Sequence, residues 1–184
     1  MMTLLLCIAA AAAGAQERWM VGVEGSLPLS EHAPIFTAGV EGSCYIWDWG
    51  AFRLAPGTGL LIGEFRGTNP NSAYANGRLK MSVFARGEYK WGSGAVKPFV
   101  LLDAGGQITL SPGYSSKEDP TWWDKTGYAL TNTTSLFFTP SVGLDLGRHF
   151  YVSAGVWCQQ QRYREGLAPS RLTASVILKL GARF

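Results

Sequence analysis

Two histidines and three cysteines are the side chains of this chain best suited to catalysis or metal binding. His32 follows Ser30 and Glu31, and a histidine, a hydroxyl and a carboxylate are the parts of a nucleophilic triad. The surrounding sequence contains no acid–serine or histidine–x–serine motif, however, and a lone loop histidine is usually solvated. His149 lies far from His32 and the cysteines are not clustered, which gives a zinc site no support. We therefore predict no catalytic residue, no metal site and no cofactor.

The charged residues alternate with apolar residues, and this alternation predicts β-strands. It runs from Arg171 to Phe184, where Ile177 is the single large apolar residue on the polar face. Residues 79–91 repeat the pattern. In a soluble sandwich the apolar face of such strands would form the core. In a membrane barrel the apolar face meets lipid and the charged face lines the interior.

Six further segments alternate less clearly and bring the expected total to eight antiparallel strands. An even number of strands is typical of a closed membrane barrel of this kind. We therefore predict an all-β fold, an eight-stranded antiparallel transmembrane up-and-down β-barrel. The six segments are 18–27, 35–47, 51–64, 98–110, 136–146 and 150–161.

The connections between these strands alternate between short and long. Residues 48–50, 92–95 and 147–149 are short links that contain glycine, whereas 28–34, 66–78, 111–135 and 162–170 are longer. Tight turns at one end and long loops at the other are typical of membrane barrels. Aromatic residues concentrate near the short turns and the termini, which predicts a girdle at one membrane interface. Its members would be Trp19, Trp47, Trp49, Phe52, Trp91, Phe150, Tyr151 and Phe184.

Residues 1–15 have the features of a cleaved signal peptide, which would leave 16–184 as the barrel domain. Leu4 to Ile8 and the alanines that follow form a short apolar core, and Ala13-Gly14-Ala15 suits a signal peptidase. No later segment has 18 or more consecutive apolar residues, so the sequence predicts export without an inner-membrane helix.

The composition excludes several classes of protein. Only 16% of the residues are charged, against about 25% in typical soluble domains, while 47% are hydrophobic. A disordered chain, a coiled coil and a highly charged nucleic-acid binder are all excluded. The net charge of +3 is too small to identify a partner, and no basic patch predicts nucleic-acid binding.

The signal peptide, the eight strands and the final strand together resemble the small outer-membrane β-barrel family that includes OmpA- and OmpX-like proteins. The resemblance covers residues 17–184. Within it, Lys97-Pro98-Phe99-Val100 followed by Ala104-Gly105-Gly106 resembles the fifth strand of the family's porin-like members. It implies an outer-membrane location, contact with outer-membrane lipid and lipopolysaccharide, and delivery to the barrel-assembly machinery. The residues that resemble the family's C-terminal assembly signal are Val176, Leu178, Leu180, Ala182 and Phe184, of which Ala182 is smaller than is usual there.

The family also leaves functional alternatives open. The first is a narrow porin-like channel. The second, less favoured, is a lipid A-modifying acyltransferase or deacylase, for which His32 and Ser72 would have to act at the outer face. A soluble ligand-binding barrel of the lipocalin type is disfavoured because that fold keeps its apolar residues inside. We favour a non-enzymatic structural or surface-interaction role.

Twelve charged residues fall on the face that would point into the barrel. They could line an ion-selective pore or form an ion-pair network that fills the lumen. Eight strands enclose an interior that side chains can fill, so we expect a closed network. The residues are Glu24, Glu41, Arg53, Lys80, Arg86, Glu88, Lys90, Asp103, Asp145, Arg171, Lys179 and Arg183.

The outer loop 111–135 is the best candidate for recognising a surface ligand, because it combines aromatic and charged residues. The candidate residues are Tyr114, Trp122, Trp123 and Tyr128, although the tryptophans could equally dock on lipopolysaccharide or cap the barrel. Cys44 and Cys158 fall on non-adjacent strands and on the outer face, so we expect two free thiols rather than a disulfide.

Overall fold

The computed structural model describes residues 18–30, 36–64, 77–112, 135–161 and 171–184. No helix in this part of the chain is long and apolar enough to cross a membrane. The predicted signal peptide lies outside the described residues, as do most of the residues in the four long connections. The strands are β1 (Trp19–Pro28), β2 (Phe36–Cys44), β3 (Trp47–Trp49), β4 (Phe52–Glu64), β5 (Gly77–Lys90), β6 (Val96–Pro112), β7 (Ser135–Leu146), β8 (Phe150–Gln161) and β9 (Arg171–Arg183).

These strands form one closed antiparallel β-barrel. Each strand pairs with its neighbour along the chain, β9 pairs with β1, and β2 pairs with β4. The short β3 continues the line of β2 and pairs with the first residues of β4. Counted around the ring, the barrel therefore has eight strands, and the predicted fold class is confirmed.

The second strand was predicted to run without a break over residues 35–47, and this detail is wrong. Tyr45 and Ile46 interrupt it. The Tyr45 amide donates to the carbonyl of Arg18 at 2.7 Å, whereas the Ile46 amide donates to the carbonyl of Leu54 at 3.0 Å. The Tyr45 side chain keeps the inward direction of Glu41 and Ser43 and is buried in the interior, with 6% of its surface exposed.

The three predicted short connections are short hairpins at the same end of the barrel, which we call the short-turn end. They join β3 to β4, β5 to β6 and β7 to β8. Each contains a glycine with positive φ, at 74° for Gly50, 91° for Gly92 and 69° for Gly147. Glycine adopts this left-handed conformation without the steric cost that a β-carbon brings, so these turns can be tight.

Candidate functional site

The polarity of the barrel is inverted relative to a soluble protein. Within the described residues, twenty polar or charged side chains are buried, against only ten apolar ones. In contrast, thirty large hydrophobic side chains are exposed on the outside, among them Val23, Leu60, Val83, Val142 and Leu178. The strand alternation produces this inversion, because successive side chains point to opposite faces of the sheet. The barrel interior is therefore the candidate site.

The structure places the predicted interior charges within the barrel, as far as their side chains are described. Glu24, Arg53 and Lys90 keep 7%, 11% and 13% of their side chains exposed. The side chain of Arg171 lies outside the part of the chain that the structure describes. The other eight residues are buried, namely Glu41, Lys80, Arg86, Glu88, Asp103, Asp145, Lys179 and Arg183.

Arg86 organises a central cluster with the carboxylates of β2 and β6. Its Nε donates to Asp103 Oδ1 at 2.7 Å, and its Nη2 donates to Asp103 Oδ2 at 2.8 Å and to Glu41 Oε1 at 2.7 Å. Lys179 donates to the remaining oxygen of Glu41 at 2.7 Å and to Asp103 Oδ2 at 2.8 Å, and it lies 3.4 Å from Glu24. Five charged groups from five strands are thus joined across the lumen. Charges withdrawn from water to this extent are tolerated only when they are paired in this way.

A second cluster lies towards the short-turn end and is centred on Arg183. The guanidinium of Arg183 is 2.7 Å from Glu88 Oε2 and 2.8 Å from Asp145 Oδ1. Lys90 holds the other oxygen of Asp145 at 2.6 Å. Arg53 lies 4.0 Å from Glu88 and pairs with Asp48 at the rim at 2.9 Å. Three cations and three carboxylates therefore neutralise each other at this level.

Tyr45 and Met20 link the two clusters. The Tyr45 hydroxyl donates to Glu88 at 2.6 Å and accepts from Arg183 at 3.1 Å. The Met20 sulphur lies 3.3 Å from the Tyr45 hydroxyl and 3.1 Å from Arg86 Nη1. Neither residue was among the candidates from the sequence. Strand alternation gives their inward direction, because Met20 lies on the same face as Glu24 and Tyr45 on the same face as Glu41. Their partners depend on the barrel register, which a single strand pattern does not contain.

Large aromatic rings also fill the interior, on the same strand faces as the charged residues. Three of them face a glycine at the directly paired position on the next strand. Phe84 pairs with Gly57, Phe99 with Gly143 and Tyr151 with Gly181. A β-carbon on any of these glycines would collide with the ring. The missing side chain thus provides the space for the ring, and the ring covers the glycine backbone.

The predicted place of Tyr151 in the outer girdle is wrong. Its side chain is 2% exposed and lies inside the barrel. It shares the inward face with its paired residues Asp145 and Gly181, so it belongs to the interior by alternation. The outer surface at the short-turn end does carry exposed aromatic rings, namely Trp19, Trp47, Trp49, Phe52, Tyr89, Trp91 and Phe150.

The space left inside the barrel is small. A cavity of about 20 Å³ borders the central cluster. It has room for a water molecule or two but not for a solute. Gln107 and Gln159 close the interior on the long-loop side, where Gln159 donates to the Gln107 side chain at 3.1 Å and also to Ser135. The lining of the small cavity includes Glu24, Gln107, Trp157, Ile177 and Lys179. Within the described ranges, the lumen is therefore packed with side chains.

The residues that might have supplied other chemistry are not assembled into a site within the described part of the chain. No group of three or more histidine, cysteine or acidic residues there could hold a metal ion. His149 lies in a turn, where its Nδ1 is 3.1 Å from the Arg183 carbonyl. Cys44 and Cys158 are free thiols. His32 and Ser72 lie outside the described residues.

The remaining predicted sites divide between the outer surface and the long loops. Val176, Leu178 and Leu180 are exposed on the outer face of β9, and Ala182 and Phe184 are partly exposed at its end. The four loop candidates Tyr114, Trp122, Trp123 and Tyr128 lie outside the described residues. The strands that flank their loop end at Pro112 and begin at Ser135, both at the end opposite the short turns.

Comparison with known proteins gives a likeness of fold alone. No protein-family model matches the sequence, and no curated protein matches it significantly. The barrel is similar to the crystal structure of the N-terminal beta-barrel domain of Pseudomonas aeruginosa OprF, with a TM-score of 0.48 and 13% sequence identity. The likeness covers 93% of this chain and 100% of that one.

Proposed function

We propose that this chain is an integral outer-membrane β-barrel protein without enzymatic activity, with a structural or surface-interaction role through its longer loops. The observation that carries the proposal is the inverted polarity of the barrel. Thirty large hydrophobic side chains cover the described outer surface, while charged residues fill the interior. A monomeric soluble protein rarely exposes more than a few hundred Å² of contiguous apolar surface. A barrel surrounded by lipid requires this arrangement.

The charged interior supports a closed lumen rather than an ion channel. Arg86 and Lys179 reach across the barrel to carboxylates on other strands, and the aromatic rings of Phe84, Phe99 and Trp157 are also buried inside it. An ion entering the lumen would have to break several short ion pairs in a water-poor environment. We therefore propose that the protein does not support steady conductance.

Refolding into lipid tests both parts of this proposal. Purified chain without residues 1–15 is diluted from urea into phosphatidylcholine vesicles, and its gel migration is compared with and without heating. We expect a heat-modifiable band that floats with the vesicles. The same preparation in planar bilayers should give no steady channels. Chain that stays soluble without lipid would contradict the membrane proposal, and large stable channels would instead support the porin-like alternative.

The proposed surface role rests on loop 111–135, where Tyr114, Trp122, Trp123 and Tyr128 combine aromatic rings with nearby charges. A variant with Trp122→Ala and Trp123→Ala should refold and float as the wild-type chain does. Its adsorption to vesicles that contain lipopolysaccharide should fall if the loop makes the surface contact. The matched control is Trp91→Ala, because Trp91 lies at the opposite, short-turn end. Equal adsorption by all three chains would contradict a role for this loop.

A further inference from the structure

Three basic residues lie on one half of the rim at the short-turn end, where Arg18 and Arg148 are exposed and Lys97 is half-buried. Lys97 begins the inward face of β6, Arg148 lies in the turn between β7 and β8, and Arg18 precedes β1. Backbone hydrogen bonds connect these sites in sequence around the rim, from Gly147 to Ala95 at 2.8 Å, from Arg183 to His149 at 2.7 Å and from Phe184 to Trp19 at 2.9 Å. We call Arg18, Lys97 and Arg148 the basic rim.

The three cations of the basic rim have no carboxylate partner among the described residues. Asp145 lies opposite Lys97 in the strand register, but its two oxygens are held by Lys90 and Arg183. The neighbouring Glu88 bonds to Arg183 and Tyr45. On the other half of the rim, Asp48 is paired with Arg53 at 2.9 Å. The side-chain carboxylates of the described residues nearest to the basic rim are therefore already engaged.

The aromatic and aliphatic side chains beside these cations place them at the level of lipid headgroups. Trp19 is 39% exposed next to Arg18, Phe150 is 66% exposed two residues after Arg148, and Val96 is 53% exposed next to Lys97. Amphipathic and apolar side chains at the end of a barrel mark the edge of the hydrocarbon layer. Cations just beyond that edge can reach the phosphates of the adjacent leaflet.

We propose that the basic rim binds the phosphate groups of anionic phospholipids in the leaflet at the short-turn end. This inference rests on the membrane location proposed above and names the class of lipid that the basic rim would bind there. Charge complementarity supports this proposal, since three cations without a side-chain carboxylate partner among the described residues lie at the level of lipid phosphates. The other half of the rim presents the neutral Asp48–Arg53 pair and a row of aromatic rings, so the anionic lipid should gather on one side of the barrel.

Electron spin resonance of labelled lipids tests the inference. Full-length mature chain is reconstituted in phosphatidylcholine with trace spin-labelled phosphatidylglycerol or phosphatidylcholine, and the motionally restricted fraction of each lipid is compared. We expect a several-fold preference for phosphatidylglycerol, with an upper limit of about five-fold for each cation engaged. The variant Arg18→Gln, Lys97→Gln, Arg148→Gln should lose the preference. The charge-conserving variant Arg18→Lys, Lys97→Arg, Arg148→Lys should keep it.

The salt dependence of the wild-type chain gives a second reading that needs no variant. At 1 M NaCl the Debye length falls to about 3 Å, so the preference should collapse. A preference that persists at 1 M NaCl or in the glutamine variant would overturn the inference, as would a wild-type chain that inserts without any preference. None of these three results would affect the membrane proposal. A chain that fails to float with vesicles would overturn the membrane proposal and this inference with it.

Discussion

Arg86 and Asp103 are paired directly across β5 and β6 and form a two-pronged ion pair inside the barrel, with N–O distances of 2.7 and 2.8 Å. Both side chains are at most 2% exposed. Removing one partner from a pair buried to this degree is costly, because the other keeps only its remaining charged contact, Arg86 with Glu41 or Asp103 with Lys179. The barrel interior should therefore respond differently to single and double substitutions.

The first prediction is a double-mutant cycle on this pair. Arg86→Met should lower the free energy of unfolding by about 3–5 kcal/mol, and so should Asp103→Leu, since each takes the two-pronged contact away from a partner that stays buried. The double variant should lose less free energy of unfolding than either single variant. Urea unfolding in detergent micelles, followed by tryptophan fluorescence, measures all four chains. Strictly additive losses would contradict the coupling that we describe.

The second prediction concerns the match between aromatic rings and glycines. Gly57→Ala would press a β-carbon into the ring of Phe84, and we expect a loss of about 1–3 kcal/mol in unfolding free energy. Adding Phe84→Leu should recover much of that loss. Gly42→Ala is the matched control, because its β-carbon would lie an ordinary 3.7 Å from Val21. The same urea titration applies, and equal losses at Gly57 and Gly42 would argue against a special fit.

The third prediction uses depth in the membrane. Val83 and Val96 are similarly exposed on the outer face, at 58% and 53%, but Val83 lies in the middle of β5 and Val96 at the short-turn end of β6. Val83→Arg should cost about 2–4 kcal/mol of folding free energy in lipid, whereas Val96→Arg should cost about 0–1 kcal/mol. Reversible unfolding in lipid vesicles measures both. On a soluble protein the two substitutions would have equally small effects.

The fourth prediction tests the expected assembly signal. Phe184 is partly exposed at the end of β9, stacks on His149 at a ring distance of 6.4 Å and shares two backbone hydrogen bonds with Trp19. Phe184→Ala should reduce the amount of chain recovered in the outer membrane of expressing cells. The control Leu172→Ala lies at the far end of the same strand and should not reduce it. Both variants should refold in detergent at similar yield. A lower refolding yield for Phe184→Ala would instead indicate that the substitution reduces stability and not recognition by the assembly machinery.

The sequence pattern was sufficient to predict the strands and the short turns, because alternation and glycine act locally. The segment from Arg171 to Phe184 is predicted to be a strand from its own alternation alone. It was also sufficient to assign charged residues to the interior. It could not identify partners, because the pairing of Lys179 with Glu41 joins residues 138 positions apart and depends on how the strands are staggered around the ring.

The space that receives the interior aromatic rings could not be predicted from a single strand, for a related reason. Phe84, Phe99 and Tyr151 are apolar exceptions on otherwise polar strand faces, and a single strand gives no reason for them. The reason lies on the neighbouring strands, where Gly57, Gly143 and Gly181 leave room. Inward glycines opposite inward aromatics are therefore a signal that becomes readable once the register is known.

The central claim is that the apolar outer surface of this barrel is embedded in the outer membrane, and cell fractionation tests it most directly. Envelopes from expressing cells are washed with alkaline carbonate and separated on a density gradient, and the chain is detected by immunoblot. We predict that it remains in the outer-membrane fraction and enters solution only with detergent. Recovery in the soluble periplasmic fraction without detergent would contradict the account.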